Sequence, residues 1–223
     1  VHASRGLARM FLSWDWRGAR TSLETAMRLA PEYASAYQWA GVLAILERRS
    51  DTARTLLAVA ATLDPTSPTI ATDQALAEIL AGRPTEALAH CQQARRLAPD
   101  HQFTAHCFVT AYKRLGRPRD VLAALGLGAA PGSDAEAKRL VDEWHRAEIP
   151  RLQAQTPVVD YAIAQRFAAL GQHEEALVHL SRAVEQHEFM VPFAVVEPDF
   201  DGLRQRPQFE ALLDRAGLLA APR

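Results

Sequence analysis

Two dipeptides, His90-Cys91 and His106-Cys107, with His101 between them, put imidazoles and thiols near one another in the chain. Zinc prefers such nitrogen and sulfur donors, but the spacings match no compact finger. The repeat pattern described below already uses Cys91 for packing, so buried free thiols and surface imidazoles are expected, with no metal. His173, His179 and His187 lie together near the C-terminus, but six residues separate the first two. A two-histidine helix site needs i, i+4 spacing. Glu197, Asp199 and Asp201 alternate in the manner of calcium ligands, yet lack the glycine and distal glutamate of a helix-loop-helix site. Asp199 or Asp201 is therefore expected to cap a helix. There is no Gly-x-Ser-x-Gly, no His-Glu-x-x-His and no Cys/His pair in a recognisable setting. These absences predict a non-catalytic chain without a cofactor, and no catalytic residue is assigned.

A binding surface is the stronger expectation. With helical phase taken from the repeat columns below, Ser35, Gln38, Trp39 and Val42 face inward. Thr69, Thr72, Asp73 and Leu76 follow, then Phe103, His106 and Thr110, with Arg5 at the entrance. Aromatic, apolar and short polar groups in such a groove suit an extended peptide or a helix. The same surface, if closed into a pocket, would instead sense a small molecule. Asp73 would repel a carboxylate and Arg5 is the one firm cation, so no strong preference for acidic C-termini is expected. Trp14 and Trp16 flank Asp15 at the first turn, either as packing aromatics around a cap or as an anchor for a partner.

The elements that position these residues follow from a repeat. Ala19, Ala53 and Ala87 recur every 34 residues, as do Leu23, Leu57 and Cys91. Ala26, Ala60 and Ala94 keep the interval, and so do Pro31, Pro65 and Pro99. This period and pattern mark a stacked two-helix repeat. Helices are predicted over 2–13, 16–30, 34–47 and 52–63, the second capped by Asp15 and the fourth by Asp51. A third pair opens at Ser67-Pro68, turns at Gly82-Arg83-Pro84 and closes at Pro99. A fourth opens near His101, turns at Gly116-Arg117-Pro118 and runs over 119–126 into a Gly/Pro/Ala loop. Ser133 and Glu136 form a capping box for a helix over 134–148, with Pro150 just beyond it. A pair resumes at Thr156-Pro157, with helices to about 170 and from Glu174 to about Gln186, turned by Gly171. The residues of 189–223 read as a terminal cap with a last helix at 207–216. The alanines and Gly41 are placed where paired helices approach closely.

These A-L-A-P columns, with the Gly82, Gly116 and Gly171 turns, resemble tetratricopeptide repeats over about 1–126 and 156–188. The aromatic usual near the start of each first helix is present as Tyr37, with Ala71 and Ala105 in its place elsewhere. The resemblance implies an all-α right-handed superhelix of helix pairs, first helices inward, acting as a protein-binding scaffold. The domains expected are 1–126 (repeats), 127–155 (loop and connecting helix), 156–188 (a further repeat) and 189–223 (cap). The segments SWDWRGAR and EPDFDGLRQRPQFEALLDRAGL are similar to the ends of such arrays in multidomain bacterial regulators. These include winged-helix activators of the CadC type, class III adenylate cyclases and Ser/Thr kinases. That likeness implies the sensory or interaction part of a regulator that binds a protein or peptide or self-associates.

Composition narrows the partners. The net charge of −1 gives no whole-chain field for nucleic acid or anionic lipid, and direct nucleic-acid binding is not expected. Lys113 and Lys138 are the only lysines, a bias toward arginine read as coding preference before phosphate recognition. No run approaches the length that spans a bilayer, and the start VHASRGLARM is unlike a signal peptide and reads as a fragment of a longer chain. Two cysteines are too few for a disulfide framework and fit a reducing, cytoplasmic setting, with a periplasmic one open if a membrane span lies upstream.

Overall fold

The computed structural model describes residues 1–128 and 131–218, and among these every regular element is helical. Part of the Gly/Pro/Ala loop and residues 219–223 of the expected cap lie outside the described residues. The chain divides into two compact units, Val1–Leu115 and Gly116–Arg223.

The first unit holds α1 (His2–Leu12), α2 (Trp16–Leu29), α3 (Ala34–Leu46), α4 (Ser50–Leu63), α5 (Pro68–Leu80), α6 (Pro84–Leu97) and α7 (Thr104–Arg114). Its helices pack as the pairs α1/α2, α3/α4 and α5/α6, and each even helix also packs on the odd helix that follows. The odd helices touch one another in succession, α1 on α3, α3 on α5 and α5 on α7. The columns read from the sequence are the core of this unit. Ala19, Ala53, Ala87, Leu57 and Cys91 are wholly buried, Leu23 nearly so, and the three prolines are exposed because they only end the helices.

Close approach within a pair is enforced by missing side chains. A Cβ on Gly41 would stand 2.6 Å from Leu57 Cγ, and one on Gly6 would stand 2.6 Å from Leu23 Cγ. Gly6 escapes the sequence columns because it precedes Gly41 by 35 residues instead of 34. Between pairs, partly buried carboxylates clamp the stack. Glu47 at the end of α3 meets both Arg20 of α2 and Arg49, the latter at 3.2 Å. Glu78 of α5 likewise meets Arg54 of α4 at 3.0 Å and Arg83 at 2.8 Å.

The second unit begins with α8 (Pro118–Ala124) and α9 (Asp134–Gln153) and continues with the pair α10 (Asp160–Ala169) and α11 (His173–Glu185). Short 3-10 turns at Val191–Val195 and Pro198–Leu203 lead to α12 (Pro207–Arg215). This tail covers the α10/α11 pair. Phe200 and Phe209 are almost fully buried, and Phe200 meets Tyr161 of α10 edge-on at 5.6 Å. Arg204 ties the two turns together, donating to the carbonyls of Val195 and Glu197 at 2.8 and 3.0 Å.

Several local expectations need correction. Pro150 does not lie beyond α9 but inside it, and the helix runs on to Gln153. Proline there forfeits the bond to the Arg146 carbonyl and its ring crowds that carbonyl, and α9 ends within a turn of it. Asp51 does not cap α4; it lies within the first turn, after Arg49 at the cap. The capping box at Ser133 forms on one side only: Ser133 accepts from Glu136 N–H, while Glu136 accepts from Gly132 instead. Asp15 and Ser67 cap as expected, accepting from Gly18 and Ile70 N–H.

The turn between helices repeats more faithfully than its residues do. Gly82 and Gly116 have φ of 74° and 63°, and the residues one and two periods before Gly82, Arg48 and Trp14, take 58° and 49°. Left-handed backbone costs an ordinary residue about 1–2 kcal/mol, so the stack imposes this turn on unsuitable residues. Arg48→Gly should therefore stabilise the protein by up to about 1 kcal/mol, and Gly82→Ala should destabilise it by about as much, in urea unfolding. Two shifts of the same sign would contradict a shared turn geometry.

Candidate functional site

The face formed by the odd helices is built by side chains that reach from one helix to the next. Gln38 on α3 donates through Nε2 to Asp73 Oδ2 on α5 at 2.8 Å. Thr69 on α5 pairs with His101 Nε2 at 3.1 Å, just before α7. Thr72 closes locally, donating to the Thr69 carbonyl at 2.8 Å. Trp39 of α3 meets Phe11 of α1 edge-on, with centroids 6.4 Å apart. His106 and Thr110 face each other on α7 at 3.4 Å, and Arg5 contacts His2 at 2.7 Å.

Exposure divides the twelve residues expected to line a groove. Arg5, Phe103 and His106 are exposed; Ser35, Trp39, Thr69, Asp73 and Leu76 are half-buried. Gln38, Val42, Thr72 and Thr110 are buried, and these four do not present an open surface. The cause is clearest on α3, where residues 40–46 are buried without a break. A helix that is apolar all round is enclosed on every side, whereas the repeat phase alone assumes one open face. Phe103 sits at the N-cap of α7 rather than within it, with its ring edge-on to His101 at 5.6 Å.

The expectation of free thiols is overturned. Cys91 and Cys107 form a disulfide, and no free cysteine remains. Their sulfurs are thus not available as zinc ligands, and the cysteine argument for a reducing compartment falls with them. Among the described residues, no group of three or more His, Cys, Asp or Glu side chains is arranged around a common metal position. The other sequence candidates have contacts within the fold. Trp14 is buried in the turn that Asp15 closes. Asp201 pairs with Arg204 at 2.7 Å and lies inside a 3-10 turn, and Glu197, just before that turn, is buried. His173 meets Arg206 at 3.0 Å.

The second unit contains polar contacts that sequence reasoning passed over. Asp160 is 4% exposed; it binds His179 Nδ1 at 2.6 Å and Gln186 at 3.2 Å. The His179 ring stacks on Phe167 at 5.4 Å. Glu188 accepts from the N–H groups of Asp160 and Tyr161 at 2.7 and 3.0 Å, which caps α10 from a distant part of the chain. Arg166 lies over the Trp144 ring at 4.5 Å. Burial, reinforced by Glu197 and Asp199 and opposed by Arg204, pushes the Tyr161 phenol well above its ordinary range. Nothing in the spacing of these residues signals their meeting: α11 and the residues just after it pack back along α10, and Arg166 reaches Trp144 where α10 packs on α9.

Asp73 is the titratable centre of the first unit's face. Burial raises its carboxyl from 3.8 to about 7, and the Gln38 hydrogen bond opposes that rise. The folded chain thus holds a proton that the unfolded chain has already lost. The resulting stability is complete below pH 3.8 and is lost as pH rises to about 7. Asp73→Asn keeps an acceptor for Gln38 and removes the titration. This variant should flatten the fall in stability between those pH values and should be more stable than the parent at pH 8, measured by thermal unfolding. An unchanged slope would show that Asp73 titrates normally.

No protein-family model matches the chain, and no curated protein matches it, so the role of this face is argued from its chemistry.

Proposed function

We propose that the first unit is a non-catalytic binding scaffold of the tetratricopeptide kind, which takes an extended peptide or a partner helix on the face of its odd helices. The helix pairs are read as the turns of a right-handed superhelix, and the second unit as a further pair closed by its terminal cap. The observation that carries this reading is the polar ladder from Gln38 to Asp73 and from Thr69 to His101, which joins successive odd helices into one continuous face. Along it stand exposed Arg5, Phe103 and His106 and half-buried Trp39. An aromatic anchor among polar groups favours a peptide, whose backbone needs hydrogen-bonding partners and whose side chains need apolar contact. A regulator would use such binding to bias an output module elsewhere in the full protein. No helix among the described residues is long and apolar enough to cross a membrane.

A random-peptide phage library selected against the whole chain tests this. The selected peptides should bind about tenfold or more weakly to Phe103→Ala and His106→Ala, both changed at exposed positions. Acidic C-terminal tails should not be enriched, because Arg5 is the one cation among the twelve residues and Asp73 shares that set. A selection that yields no binder, or binders indifferent to both substitutions, would contradict the reading.

A further inference from the structure

The seams between helix pairs in the first unit are not closed by the same chemistry. Arg20 and Arg54 occupy one 34-residue column and each grips the partly buried carboxylate of the next pair, Glu47 or Glu78. The third position of that column is Leu88, which carries no charge. The seam there, between α6 and α7, instead holds the covalent bond from Cys91 to Cys107. Cys91 takes the column of Leu23 and Leu57, and Cys107 takes that of Trp39 and Asp73. Their Cα atoms are 5.7 Å apart, a separation that a disulfide spans without displacing either helix. Non-covalent contact across the seam also exists, since Arg95 lies over the Phe108 ring at 4.7 Å.

We propose that Cys91–Cys107 is a redox modification site that sets how firmly α7 is held to the stack. Joined, the two sulfurs fix α7 against α6. Opened, they leave α7 attached by its apolar face and the Arg95–Phe108 contact, while the carboxylate clamps between α2 and α3 and between α4 and α5 stay in place. The co-reactant is a dithiol. Its thiolate attacks the Cys107 sulfur, because Cys107 is 6% exposed and Cys91 is not exposed at all. The S–S bond breaks, Cys91 leaves as a thiolate and takes a proton. The second thiol of the reagent then attacks the mixed disulfide and releases Cys107 as a thiol, and the reagent is left as a cyclic disulfide. Two electrons pass from the dithiol to the protein. Both sulfurs are buried, so the exchange waits on a local opening of the seam.

The test uses the whole chain with and without dithiothreitol, read by mass spectrometry after alkylation in denaturant and by amide hydrogen exchange. The unreduced protein should take up no alkylating groups, and the reduced protein two. Reduction should speed exchange in α7 by up to about a hundredfold, the loss of constraint expected for opening a loop of this size, and leave α3 to α5 unchanged. The variant with Cys91→Ala and Cys107→Ala should show fast α7 exchange whether or not dithiothreitol is present. Two alkylated thiols in the unreduced protein would overturn the proposal. So would α7 exchange that reduction does not change, or an equal loosening of every helix. Should the double variant fail to fold, the parent chain with and without reductant still decides the matter.

Discussion

Everything in the first unit depends on how closely two helices of a pair can approach. Gly6 and Gly41 leave no room for even one more carbon opposite Leu23 and Leu57. Helix packing is dense enough that a single added methyl group forces a shift of the partner, at about 1–3 kcal/mol. Because the contact is tight, the large leucine of one helix fills the notch of the other, and the alanines on either side of it, Ala19, Ala26, Ala53 and Ala60, can be buried without gaps. A pair made this way has one apolar side left over. The next pair covers it, which is why stability in such a stack is shared between neighbours.

The bonds between pairs then decide how the stack responds to its surroundings. Glu47 and Glu78 are each held by two guanidinium groups in partly buried positions, where screening by salt is weaker than at an open surface. The α6–α7 seam depends on sulfur chemistry instead. The Gln38–Asp73 hydrogen bond adds a third kind of link, one whose acceptor changes charge near neutral pH. Salt, reductant and pH therefore act on different joints of one structure, and the odd-helix face runs across all of them.

Much of this was legible in the chain itself. Columns of alanine and leucine 34 residues apart placed α2 to α6, because burial at a fixed period leaves a fixed residue pattern. Asp15 and Ser67 announced the helix starts they cap, since capping is local. The site was read less well for a physical reason: helical phase gives the direction of a side chain from its own axis, not what stands opposite. Val42 and Thr110, expected on an open face, are covered. The disulfide was missed because Cys91 also fits the leucine column, and a residue that explains itself as packing hides a second role. The left-handed turn at Arg48 carried no signal, since the fold overrides what arginine prefers. Asp160, His179 and Glu188 meet through tertiary return, to which spacing is blind.

The close approach of α3 to α4 is the claim on which the others stand, and a double-mutant cycle on Gly41 and Leu57 measures it. Gly41→Ala should cost about 1–3 kcal/mol in the parent and much less in a Leu57→Ala background, where the added methyl finds space, giving a coupling of about 1 kcal/mol or more. Equal costs in the two backgrounds would mean that the helices do not meet at this notch, and the stacked-pair account would be contradicted.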